Sequence, residues 1–260
     1  MIGNDARSFA TLVLISFLFS HSALARRPHP SSFIIPHSSF SRMARIPAGF
    51  YRPFYKTKGI DSVRVEAFYM DVAPVTNENF LQFVKANPEW ARSRVSPALA
   101  GPGYLKRWKR DFEIGDPSLN NAPVVNVSWF AARAYARWRH KRLPTIAEWE
   151  YAAKAPILKP RRASGAEERQ LIIDWYGKQN PSRLQTSGTV EENAYGLWDL
   201  FGQVWEWTED FNSVVIPNAC GAAGSGVRDP TDYPAFMRFG MRNSLKANDV
   251  SDQLGFRCVK

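Results

Sequence analysis

Two cysteines, Cys220 and Cys258, and four histidines, His21, His29, His37 and His140, make up the whole soft-donor and imidazole inventory of this 260-residue chain. A thiol becomes a nucleophile or redox centre when it is exposed beside a cation that lowers its pKa, and Arg228 is near enough in sequence to Cys220 to serve. Two thiolates can also hold Cu(I), or close a disulfide in an oxidising compartment. The histidines offer less. Three precede residue 44, and His140 stands alone among Arg139, Lys141 and Arg142 at the end of a helical run, where a cation suits the helix C-terminus. One imidazole excludes a three-His zinc site and a two-His-one-carboxylate iron site, and leaves a Ser-His-Asp triad only an exposed residue to use.

Two further sets of residues have spacing that could do chemistry. In DLFGQVWEW, 199–207, Asp199 and Glu206 bring carboxylates, and the carbonyls of Gly202 and Val204 can point into the same tight turn. Hard oxygen donors of this kind suit calcium, the alternative being a turn with two solvated carboxylates. Near the C-terminus, Arg228, Arg238, Arg242, Ser244 and Asn248 follow Cys220. Arginines there can hold a carboxylate or a peptide backbone, or form ion pairs within the domain.

The elements that must position these groups are short. Strands are expected at 46–54, 63–70 and 124–129. Thr76 or Asn77 opens a helix with Phe80, Phe83 and Val84 on one face; Ser128 caps a second, along which Ala131, Ala134, Tyr135 and Trp138 align. Thr145 and Glu148 form a capping box for a third. The stretch from Pro156 to about Asn193 reads as loop, and DPTDY at 229–233 as a turn leading into a helix. The class is α+β, one compact domain with little regular secondary structure.

Composition is that of a globular protein, 45% hydrophobic and 22% charged, so a disordered tail, a collagenous rod and a coiled coil are excluded. The net charge of +10 is scattered in short clusters outside any zinc-finger, RNP or helix-turn-helix context, which argues for a solvated basic face over nucleic-acid binding. Residues 1–25 have the plan of a secretory signal: a short segment ending in Arg7, an apolar run from Phe9 to Phe19, and an Ala-x-Ala site at 23–25. Residues 26–43 read as a linker, 44–260 as the folded domain, and the mature protein as exported, without a membrane anchor. There Cys220 and Cys258 can pair.

Four segments, IPAG at 46–49, DVAPVTNENFLQFV at 71–84, VVNVSWFAARAYARWRHKRLPTIAEWEYAAK at 124–154 and NAYGLWDLFGQVWEWTEDF at 193–211, with GFRC at 255–258, resemble the formylglycine-generating enzyme family, or sulfatase-modifying factor domain. The resemblance implies a C-type-lectin-like core, a structural calcium ion on Asp199, Gly202, Val204 and Glu206, and core packing for Trp129, Trp138, Trp149, Trp198, Trp205 and Trp207. Catalytic members oxidise a substrate cysteine with O2 and a copper ion held by two cysteines. Counting back from Arg242, those cysteines fall at Asp229 and Pro234, so the copper pair is not matched. The usual partner of the GFRC cysteine falls at Ala136, which makes a Cys220–Cys258 bridge the leading expectation. The region after Cys220 resembles the exported NirV-type subgroup found with copper nitrite reductase, and that resemblance implies a periplasmic location. These features imply an accessory or maturation factor acting on a protein partner. The alternative is an oxygen-dependent oxidase of a protein cysteine that works through Cys220; a lectin-like binding module is a third reading.

Overall fold

Side-chain caps start the helices at the expected places. Thr76 Oγ1 accepts from the Asn79 amide and opens α1 (Asn77–Ala86); Ser128 Oγ accepts from Ala131 and opens α2 (Trp129–Trp138). Thr145 and Glu148 exchange both bonds of the capping box at α3 (Ile146–Ala153). Each bond satisfies an amide that the helix cannot. The computed structural model describes residues 42–55, 59–159, 165–178, 184–213, 228–229 and 231–260. Two more helices follow, α4 (Gly165–Lys178) and α5 (Tyr233–Ser244), the latter opened by Asp232, whose side chain accepts from Ala235 N.

The strands pair only two by two. β1 (Met43–Ile46) lies antiparallel to β4 (Phe68–Asp71), and β2 (Gly49–Tyr51) antiparallel to β3 (Val63–Val65). β5 (Ile157–Lys159) pairs antiparallel with β6 (Glu192–Asn193), while β7 (Trp205–Glu206) runs parallel to β8 (Leu254–Gly255). The C-terminal residues then tie the pieces together: Val259 bridges both Met70 and Arg142, and Asp71 N donates to the Cys258 carbonyl. β8 needs its glycine, because a Cβ on Gly255 would stand 2.7 Å from the Val124 carbonyl oxygen.

With so few ladders, buried aromatics and polar hubs hold the loops. One apolar cluster gathers Phe80 and Phe83 of α1, Tyr135 of α2, Trp108, Trp207 and Phe256; a second gathers Ile46, Met70, Trp149, Leu197 and Phe201. Trp149, Trp198 and Trp207 are buried, and Trp129, Trp138 and Trp205 are partly so. Asn77 is a polar hub: its amide donates to the carbonyls of Leu119, Ala122 and Pro123, and its oxygen accepts from Trp108 Nε1. These bonds pin the irregular 105–123 stretch to α1. The described residues, all within the range 34–260, form one compact unit.

Two expectations are corrected. The stretch expected as loop contains α4, which packs against α5. Its apolar residues Leu171, Ile172, Trp175 and Tyr176 repeat at helical spacing and join the second cluster. The segment 124–129 is not a ladder strand: Asn126 takes a positive φ of 58°, Trp129 already belongs to α2, and Val124 N donates to Val75 while Asn126 N donates to Ser251, a different segment. The proposed signal and linker lie outside the described residues up to residue 41, and no helix among the described residues is long and apolar enough to cross a membrane.

Candidate functional site: a buried arginine pair on Glu150

On α5, Arg238 and Arg242 are four residues apart and therefore share a face. That face meets α3 at Glu150. Arg238 donates from Nε and Nη2 to the two carboxylate oxygens at 2.9 and 2.7 Å, and Arg242 donates from Nη1 at 2.6 Å. All three side chains are buried, at 7, 6 and 1% exposure. Burial alone would raise the Glu150 pKa, but the charges and hydrogen bonds of the two arginines outweigh it and bring it down to about 2. The cluster therefore carries two positive charges and one negative, out of water.

Aromatic rings surround it. Both guanidiniums lie over Trp149, at 5.6 and 5.0 Å, and Arg238 also lies over Phe201. Ring faces attract cations, which helps to offset the uncompensated charge. Tyr176 of α4 accepts from Arg238 at its hydroxyl and stacks on Trp205 with centroids 4.6 Å apart. The space enclosed by these rings, Met241 and the arginines is about 10 Å³, room for roughly one water molecule. Arg238 and Arg242 thus serve as buried, ion-paired supports between α5 and α3.

The other expected arginine goes elsewhere. Arg228 binds Asp61 and the Ile60 carbonyl through its guanidinium, and its backbone N–H donates to Phe54. Ser244 is exposed at the end of α5 and donates to the Met241 carbonyl, while Asn248 accepts from Gly101 N through its backbone. The structure does not bring these three to the arginine pair. Cys220, in both its catalytic and its disulfide role, lies outside the described residues.

Cys258 is fully buried, and among the described residues no second cysteine stands against it, its expected partner Cys220 lying outside them. Burial and the neighbouring Asp71 carboxylate push its pKa well up, so it is a poor thiolate. Asp71 is itself held by Lys141 and by the Cys258 amide.

The oxygen set expected for calcium is also occupied by protein donors. Both oxygens of Glu206 accept from Arg257, and one accepts from Trp149 Nε1 at 2.7 Å; Glu206 and Arg257 are both wholly buried at their side chains. Asp199 accepts from the amides of Gly188 and Val190 and from Gln203. In this arrangement both carboxylates are engaged by protein donors, and a calcium ion would have to share Glu206 with the Arg257 guanidinium.

Asp199 takes part instead in a reciprocal clamp. It caps amides of the 184–193 loop, while Glu191 of that loop accepts from Phe201 N in the turn. Glu191 Oε2 is buried without a partner, and burial together with the nearby Asp199 pushes its pKa up to about 8. The folded state therefore binds this proton more tightly than the unfolded state, whose glutamate titrates at about 4.3. Stability must fall as pH rises between those values. Glu191→Gln removes that slope: urea midpoints should show the variant gaining on the parent by about 1 kcal/mol or more between about pH 5 and about pH 9. Parallel pH profiles for the two proteins would mean that Glu191 is ionised throughout.

Residues 22–260 match the Sulfatase-modifying factor enzyme 1-like domain. The chain belongs to this family. It is 31% identical over 251 residues to a formylglycine-generating enzyme of Streptomyces coelicolor, covering 77% of this chain and 80% of that protein. It is 28% identical over 259 residues to the inactive C-alpha-formylglycine-generating enzyme 2 of Bos taurus, covering 77% and 79%. A serine/threonine-protein kinase, pkn1, of Chlamydia pneumoniae is 32% identical over 222 residues, covering 77% of this chain and only 34% of the kinase. Within the sulfatase-modifying factor domain, the two positions expected for catalytic cysteines are now placed. Asp229 is exposed, its carboxylate accepting from Thr231, and Pro234 is buried in the first turn of α5. Neither can supply a thiolate.

Glu150, Tyr176, Glu191 and Arg257 were not singled out from the sequence. A signal existed for Glu150: it falls among Ile146, Trp149 and Ala153 on the apolar face of α3, where a carboxylate must be paired. Glu191 and Arg257 sit in irregular backbone, where no periodicity marks the buried side.

Proposed function

We propose that this sulfatase-modifying factor domain is an exported accessory factor that binds a partner protein and does not oxidise a cysteine with copper. One observation carries the reading: the positions that should hold the copper thiolates are an exposed aspartate and a buried proline in the first turn of α5, while the described thiol, Cys258, is buried with a raised pKa. An inactive relative of similar length supports it. The sequence resemblance to the NirV-type subgroup makes a copper nitrite reductase the first partner to try.

The test takes the mature protein through Cu(I) loading, addition of O2 and a cysteine-containing peptide, and mass spectrometry of the peptide. The expected result is an unchanged peptide, together with retention of a partner on immobilised protein from the source compartment. Copper-dependent oxidation of the peptide that disappears in Cys220→Ser would overturn the reading in favour of an oxidase.

A further inference from the structure

The outward face of β2 carries an unexplained combination of residues. Strand alternation turns Tyr51 inward, at 4% exposure, and Phe50 outward, at 67%. Arg52 follows on the same side as Phe50, and Ser62 stands across the hairpin. Lys154 at the C-cap of α3 closes the other wall, its ammonium 5.2 Å above the Tyr51 ring. Together they line a groove of about 540 Å³, within the range of roughly 300–1,000 Å³ of ligand-binding clefts.

Its charge is unbalanced. Among the described residues neither Arg52 nor Lys154 has a carboxylate partner. The nearby acids are committed elsewhere, Glu66 to Arg64 and Asp61 to Arg228. An exposed phenyl ring between two unpaired cations suits a chain segment with both carboxylates and an apolar side chain: the ring takes the apolar contact and the cations take the charges. A second copy of this chain is a poor occupant, because each copy has a net charge of +10.

We propose that the groove between β2 and the end of α3 is a docking surface for an acidic, extended segment of a partner protein. This inference rests on the accessory reading for the existence of a partner, and it assigns that partner's contact to the outer face of β2. The probe is a labelled synthetic peptide of Asp and Glu with one tryptophan, titrated into the full-length mature protein by fluorescence anisotropy. Binding should weaken steeply with salt and fall by about tenfold or more in R52Q/K154Q. Phe50→Ser should weaken it with the salt dependence retained. Arg137→Gln, a change at an exposed cation on α2, should leave it unchanged. All these side chains except Phe50 are polar and on the surface, and equal melting temperatures would confirm intact folds.

No peptide binding, or equal loss with Arg137→Gln, would overturn the surface. A peptide that binds here while no partner is captured from the source compartment would leave the surface standing and sink the accessory reading. A native partner retained equally by R52Q/K154Q would do the reverse.

Discussion

Glu150→Gln should destabilise the protein by about 3–5 kcal/mol, the usual cost of leaving a buried charge uncompensated. In this protein one carboxylate serves two guanidiniums, so the substitution strands Arg238 and Arg242 together, at 7 and 6% exposure and 1% for Glu150 itself. Glutamine keeps the shape and can accept through its carbonyl oxygen, but its amide N–H groups point donors at donors. The stacking on Trp149 retains only a fraction of the lost attraction. For a domain of this size the melting temperature should fall by about 10 °C. The pH dependence identifies the cause. The Glu150 pKa is about 2 in the fold, against about 4.3 for an unfolded glutamate. Its contribution is therefore complete above the unfolded value and is lost as pH falls through the folded one. The gap between parent and variant should be wide at neutral pH and narrow in acid. A variant that melts with the parent at neutral pH would show that the two arginines find other partners, and the cluster would lose its structural role.

How much of this was readable beforehand depends on whether the information was local. Thr76, Ser128 and the Thr145–Glu148 box act within one helical turn, so their sequence spacing already specified the starts of α1, α2 and α3. The helical register also placed Arg238 and Arg242 on a common face. What faced them could not be read, because Glu150 is 88 residues from Arg238 and the contact joins α5 to α3, two elements far apart in the chain. The Asp199 and Glu206 turn shows the same limit in reverse. Two carboxylates in one short segment looked like a shared ligand set, but the backbone turns them apart: Asp199 goes to the 184–193 loop and Glu206 to Arg257. Positive φ at Asp199 and at Gly202, 58° and 86°, produces that divergence. α4 was missed because its flanks are polar and its apolar residues are crowded into one half, although their spacing is helical.

Arg257 and Glu206 allow the second large effect to be separated from a simple loss of packing. Arg257 donates to both Glu206 oxygens and to the carbonyls of Asp71, Val72 and Trp198, so a single guanidinium joins the C-terminal strand, the end of β4 and the tryptophan turn. Arg257→Met should cost about 3–5 kcal/mol, because it strands Glu206 wholly buried and takes a donor from the Trp198 carbonyl. Glu206→Gln should cost a comparable amount by stranding the guanidinium. The double variant should be more stable than the sum of the two losses predicts, by about 1–3 kcal/mol, since each change removes the charge that the other exposes. Additive losses would mean that the pair contributes shape and hydrogen bonds rather than charge compensation. A calcium titration of the same proteins distinguishes the two possible cations for this turn. The parent should melt at the same temperature with calcium or with a chelator, because the guanidinium already occupies the carboxylate. If calcium stabilises the parent, the ion must displace Arg257 from Glu206, and the charge balance of this turn would have to be assigned to the metal. If it rescues Arg257→Met alone, the turn can accept either cation, and the arginine is the one this fold uses.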